Sequence, residues 1–201
     1  MRENIHNPQI VGEFFKTEEF IKLMKVVVSF QFWRTPSKKK LALEYSSELL
    51  DRYDNSTDEV KEMLGYDRKF IKYLMKRADK DDSIKVIQFL LLPLLTFDLS
   101  SHPRNIKFFT ASENLSFFSS DEPVIYDDLE KLFRFESVWF PLSKELFLLA
   151  SEKKLEKVDI NQINKVILDR ADDIVICSSK EQLEYMQCNK LIQPTANATT
   201  D

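Results

Sequence analysis

Between Ser100 and Arg104 the apolar pattern of this chain changes period, and that change fixes its class of fold. Before it, apolar residues recur at helical spacing. After it, they come in short aromatic and β-branched runs separated by Ser, Asp, Asn and Pro. Helices first and strands second is the pattern of an α+β protein: an N-terminal helical region packed on a small, mostly antiparallel sheet with one or two closing helices. A chain of 201 residues can bury a substantial core. No Gly/Ser-rich linker and no internal repeat divides it. A single domain is therefore expected over residues 1–188, helical over about 17–98 and sheet-forming over about 105–178, with a disordered tail at 189–201.

In the helical half, residues 1–16 read as loop. Thr17 ahead of Glu18 and Glu19 is an N-cap with acids in the first turn. The helix that follows should reach Phe32 or Arg34 and be central, because its apolar residues cover more than one face. Thr35-Pro36-Ser37 breaks it, and Ser37 is placed to cap a helix from Lys38 to about Asp54. Thr57 and Gly65 bracket a short helix; Asp67 opens another with Phe70, Ile71, Leu74 and Met75 inward. Ser83 starts the most apolar helix, Ile84 to about Leu95. Strands are expected at Ile106–Phe109, Leu115–Phe118, Val124–Tyr126, Val138–Phe140 and Leu146–Leu149, with a last buried strand at Ile174–Cys177. Asp128 should cap a turn from Leu129 to Arg134, Asp159 a helix to about Arg170, and Ser178-Ser179 a helix from Lys180 to Met186.

Charge and composition narrow the function. Lys and Arg number 29 against 33 Asp and Glu, a net charge of −4, which gives no strong nucleic-acid signal. Lys38-Lys39-Lys40 reads as a solvated face, with an anion-contacting patch as the minority reading. Two cysteines, Cys177 and Cys188, make no disulfide framework, and with two histidines they make no zinc set. Two glycines leave no phosphate-cradling loop. No metal ligand set or cofactor motif is read, although abundant carboxylates leave magnesium open. The longest apolar run, Val86 to Phe97, is too short to span a bilayer and contains Pro93. No signal peptide is visible, so the cytoplasm is the expected location and no membrane partner is expected.

The candidate site gathers around Asp121, which follows Ser119-Ser120 and lies between two apolar runs. An Asp there either pins the corner by bonding turn amides or presents a carboxylate where loops carry chemistry. In the catalytic reading Asp121 is a general base or metal ligand, Arg34 holds an anionic substrate, and Ser120 stands beside them. Gln31, three residues before Arg34, together with Asn161 and Asn164, supplies binding groups. Alternatively, Arg34 and Asp121 form a buried structural pair.

Four segments in this order carry a resemblance: Gln31-Phe32-Trp33-Arg34-Thr35-Pro36, Phe118-Ser119-Ser120-Asp121-Glu122-Pro123-Val124, Phe140-Pro141-Leu142-Ser143, and Asn161 with Asn164 leading to Ala171. Together they resemble the bacterial domain-of-unknown-function family 4238, over about Phe14 to Ser178. The usual His- and Pro-containing segment ahead of the first helix is missing, with His6-Asn7-Pro8-Gln9 a faint echo, so the chain looks like a short or N-terminally truncated member. The resemblance implies a phage-defence context and no agreed chemistry. Two functions are carried forward. One is a toxin-like effector acting on nucleic acid or nucleotide; the other is a non-catalytic module that recognises a protein partner, phage or host.

Overall fold

The computed structural model describes residues 17–99, 106–111, 115–151 and 158–192. The loop expected over 1–16 and the chain beyond 192 lie outside them. The fold is α+β, built in three layers.

The first layer is helical. Helix α1 (Glu18–Trp33) opens on the Thr17 hydroxyl, which accepts the Phe20 N–H at 3.3 Å. It buries Met24, Val28, Phe32 and Trp33, and continues through a 3₁₀ turn at Pro36–Lys38. The single helix expected from Lys38 to Asp54 is two helices, α2 (Lys39–Ser46) and α3 (Leu49–Asn55). The Ser46 and Ser47 hydroxyls donate to the Leu43 and Glu44 carbonyls, a local side-chain bond that competes with helix continuation. Helix α4 (Asp58–Leu64) is capped by Thr57 and ended by Gly65 at φ 65°, a left-handed conformation that glycine adopts without a Cβ penalty. Asp67 caps α5 (Arg68–Met75), accepting the Phe70 N–H at 2.8 Å. The last apolar segment starts at Asp81, two residues before Ser83: α6 (Asp81–Val86), a wide π-helical turn (Ile87–Leu91) and α7 (Leu92–Thr96).

The middle layer is an antiparallel sheet in the order β1-β4-β3, with β1 at Ile106–Thr110, β3 at Ser137–Pro141 and β4 at Leu146–Ser151. Successive strand residues face opposite ways, and here both faces are covered. Phe108, Val138, Phe140, Leu148 and Ala150 pack on the helical layer. Phe109, Trp139, Phe147 and Leu149 face a second core that contains Phe117, Phe118, Ile163, Ile167 and Met186. Asp128 caps α8 (Leu129–Phe133), which ends in a turn with Phe135 at φ 56°. A bulky residue there is unusual; burial of Phe135 and the Lys25 ammonium 5.2 Å over its ring hold it in place.

The third layer is α9 (Ile160–Arg170), capped by Asp159, and α10 (Lys180–Ile192), which continues past the expected end at Met186 into the segment read as tail. Two expected strands do not form as such. Residues 115–118 form no strand, although the Phe117 N–H donates to the Lys144 carbonyl at 2.9 Å, and only Ser119–Ser120 is a strand, β2. Of Val124 to Tyr126, only Ile125 pairs, as a single bridge to Trp139. The last strand, β5 (Val175–Ile176), pairs antiparallel with β2. It is not buried: Ile174 is 57% and Ile176 61% exposed.

Candidate functional site

The residues singled out by sequence are spread over the end of α1, β2 with the corner after it, and α9. At the end of α1, the Gln88 amide donates to the Trp33 and Thr35 carbonyls at 2.7 and 3.0 Å. The Thr35 hydroxyl donates to the Phe32 carbonyl. These bonds turn the chain so that Ser37 and Lys38 reach Glu122. The Ser37 hydroxyl and the Lys38 ammonium both donate to its carboxylate, the latter at 2.8 Å. The Lys38 ammonium also sits 5.4 Å over the Phe32 ring. The two motif-bearing segments thus meet through Glu122, the residue after Asp121.

Asp121 faces the opposite way. Its Oδ1 accepts the Asp172 N–H at 3.2 Å, and its Oδ2 accepts those of Asp173 and Ile174 at 2.8 and 3.2 Å. Its own N–H donates to the Ile174 carbonyl. The carboxylate therefore holds the turn between α9 and β5 and fixes the entry of β5 beside β2. The Asp173 amide, then those of Ile174 and Asp172, stabilise the charged form and hold its pKa below the ordinary carboxylate value. A depressed carboxylate contributes stability that is present above the unfolded-state pKa, about 3.9, and is lost as pH falls through the folded value. Asp121→Asn should therefore melt lower than wild type near neutral pH, and the gap should close in melts taken below about pH 4. A gap that persists unchanged in acid would place the contribution elsewhere.

Arg34 is exposed and, among the described residues, its side chain makes no hydrogen bond or ion pair; the expected pairing with Asp121 is not formed. Gln31 is half-buried and also unbonded among the described residues. Ser120 is buried, and among the described residues its Oγ has no hydrogen-bond partner. Asn161 lies in the first turn of α9, where its backbone N–H donates to Asp159. Asn164 is fully buried and fully used: its Oδ1 accepts the Phe118 N–H at 2.9 Å and its Nδ2 donates to the Ser116 carbonyl at 2.8 Å. An amide side chain here substitutes for a neighbouring strand. Ser116 is the centre of this network, also bonded by Gln182 and Ser178. The sequence offered one sign of Gln182, its place three residues after the cap Ser179, but its bond to Ser116 spans 66 residues.

A second feature lies away from these residues. A groove of about 520 Å³ runs between α1, α3 and α4, floored by Val26, Val60, Leu94, Leu95 and Phe97. Leu23 and Met63 stand at its mouth, 54% and 51% exposed. Its rim carries Glu48, Asp51, Glu59 and Asp98 against Lys22 and Arg52. Lys22 pairs with Glu18 and Glu59, and Arg52 with Glu48, so four rim carboxylates stand against two rim cations. Behind it, Lys25 is buried and donates to the Asp98 carbonyl at 3.1 Å. Burial pushes its pKa down, offset in part by the Asp98 charge.

Among the described residues no group of three or more His, Cys, Asp or Glu side chains is placed to hold a metal ion. No helix among them is long and apolar enough to cross a membrane. Comparison with known proteins finds no matching family model, no matching curated protein and no matching solved structure.

Proposed function

We propose that this chain is a non-catalytic binding module that recognises a protein partner, in the phage-defence setting that its family resemblance suggests. The observation that carries this reading is the Asp121 carboxylate, whose two oxygens are occupied by three backbone amides of residues 172–174. A general base must reach the proton it abstracts. This one is held by backbone amides, depressed in pKa, and without Arg34 beside it. Both features count against the effector reading.

The groove is the surface that suits a protein partner. Its volume falls in the range of ligand-binding clefts, and it combines an apolar floor with an acidic rim. An amphipathic helix with an apolar stripe and basic flanks matches both features. A synthetic Leu/Lys amphipathic peptide should bind the full chain in a fluorescence titration, and a Leu/Glu peptide of the same pattern should not. The double change Leu23→Ser with Met63→Ser should weaken binding about tenfold by removing exposed apolar contact. Asp121→Asn, checked as folded, should bind as wild type and keep any growth or plaquing phenotype the wild type confers. Loss of that phenotype with the groove still binding would restore the enzymatic reading.

A further inference from the structure

Helix α5 was expected to turn Phe70 inward, yet Phe70 is 36% and Tyr73 51% exposed. The two exposed rings are ordered against each other and against the partly buried Tyr66. Tyr66 and Phe70 lie 4.7 Å apart between centroids at 34°, and Phe70 and Tyr73 lie 6.2 Å apart at 22°. The Arg77 guanidinium then sits 5.3 Å over the Tyr73 ring. Three rings and a guanidinium thus form a row that runs from Tyr66, before the helix, to Arg77, after it, with Phe70 and Tyr73 stacked and Tyr66 tilted against Phe70.

The same segment concentrates positive charge. From Tyr66 to Arg77 it carries Arg68, Lys69, Lys72, Lys76 and Arg77 against Asp67 alone, a surplus of four on a chain whose net charge is −4. Asp67 spends its carboxylate on the α5 cap. The nearby acids are also matched: Asp54 with Arg68, Asp79 with Lys80, Asp81 with Lys39. Lys69, Lys72, Lys76 and Arg77 make no ion pair among the described residues. A solvated lysine face explains the charge but not the rings, since exposed aromatics contribute nothing to solubility. Base faces stack on aromatic rings while lysines and arginines neutralise the phosphates between them. Paired bases keep their faces covered, so stacking of this kind selects single strands.

We propose that the Phe70–Tyr73 face of α5, with Tyr66 just before the helix and Arg77 just after it, is a binding site for single-stranded nucleic acid, in which bases stack on the solvent-facing surface of Phe70 and Tyr73 and Lys69, Lys72 and Lys76 contact phosphates. The surface is separate from the groove between α1, α3 and α4, and its test is independent of the protein-partner reading.

Fluorescence anisotropy of the full chain with labelled oligo-dT and oligo-rU of about 15 nucleotides tests it, since a single strand tracked by a basic groove occupies a site of this order. Binding should weaken with salt at a slope of about −0.7 per phosphate contacted, hence about −2 for three lysines. Phe70→Ala with Tyr73→Ala should weaken binding about tenfold or more with the salt slope unchanged. Lys72→Glu with Lys76→Glu should weaken it and flatten the slope. The relative affinity of the two oligomers reports whether DNA or RNA is preferred. The proposal is overturned by failure of both oligomers to bind the wild type. It is also overturned by a ring double variant that binds like wild type, by equal binding of duplex, or by binding to phosphatidylglycerol vesicles without oligonucleotide binding.

Discussion

Trp33→Ala should lower unfolding stability by about 3–5 kcal/mol, the range for emptying a fully buried large aromatic position. Trp33 has no exposed surface. Its ring is stacked on Phe133 at 6.2 Å and 15°, and meets Phe32 and Tyr45 edge-on at 5.1 and 5.7 Å. Its indole N–H donates to the Thr96 hydroxyl at 2.9 Å. One side chain therefore joins α1 to α2, α7 and α8, and no single neighbour can collapse into the space it leaves. Trp33→Phe keeps most of the ring volume and loses the hydrogen bond. The Thr96 hydroxyl still donates to the Leu92 carbonyl, so it is not stranded. A cost of about 1 kcal/mol for the lost bond is expected, plus a smaller packing loss. Urea unfolding of the pair gives the ordering; equal losses would show that the hydrogen bond, and not the packing, dominates.

Asn164→Ala should cost about 1–3 kcal/mol for the buried Phe118 N–H alone, which loses its only acceptor. The Ser116 carbonyl keeps the Gln182 amide at 3.0 Å and suffers less. Asn164→Asp is the more informative change. It retains an acceptor for Phe118 but turns a carboxylate oxygen toward the Ser116 carbonyl, in a site with no solvent exposure. The aspartate should be worse than the alanine near neutral pH. It should recover as pH falls, because the protonated carboxyl can donate where the amide did. Thermal melts across pH check this; an Asp variant insensitive to acid would mean that Asn164 does not hold the 116–118 segment.

The parts of this fold that could be read from sequence are those whose chemistry is local. Thr17, Thr57, Asp67, Asp128 and Asp159 each accept an amide two or three residues on, and each was legible as a cap. The change of hydrophobic period was legible for the same reason. What was not legible depends on partners far along the chain. Asp121 sits where a corner-pinning residue was expected, but the turn it pins lies 51 to 53 residues later. Glu122 meets Lys38 across 84 residues, and nothing in either segment announces it. Asn164, which has the composition of a binding group, is used as a strand edge for residues 116–118. Phe70 reads as inward with Ile71, Leu74 and Met75, yet it stands at the surface, packed against Tyr66 and Tyr73.

The most direct test of the central claim, that the Ser-Asp-Glu-Pro corner is scaffold, is an NMR titration of the Asp121 carboxyl carbon in the folded chain. Amide bonds from residues 172–174 predict a pKa below the ordinary carboxylate value, with the backbone amide signals of Asp172, Asp173 and Ile174 shifting in the same transition. A pKa raised toward neutrality, with those amides unmoved, would contradict the clamp and mark Asp121 as a poised acid or base.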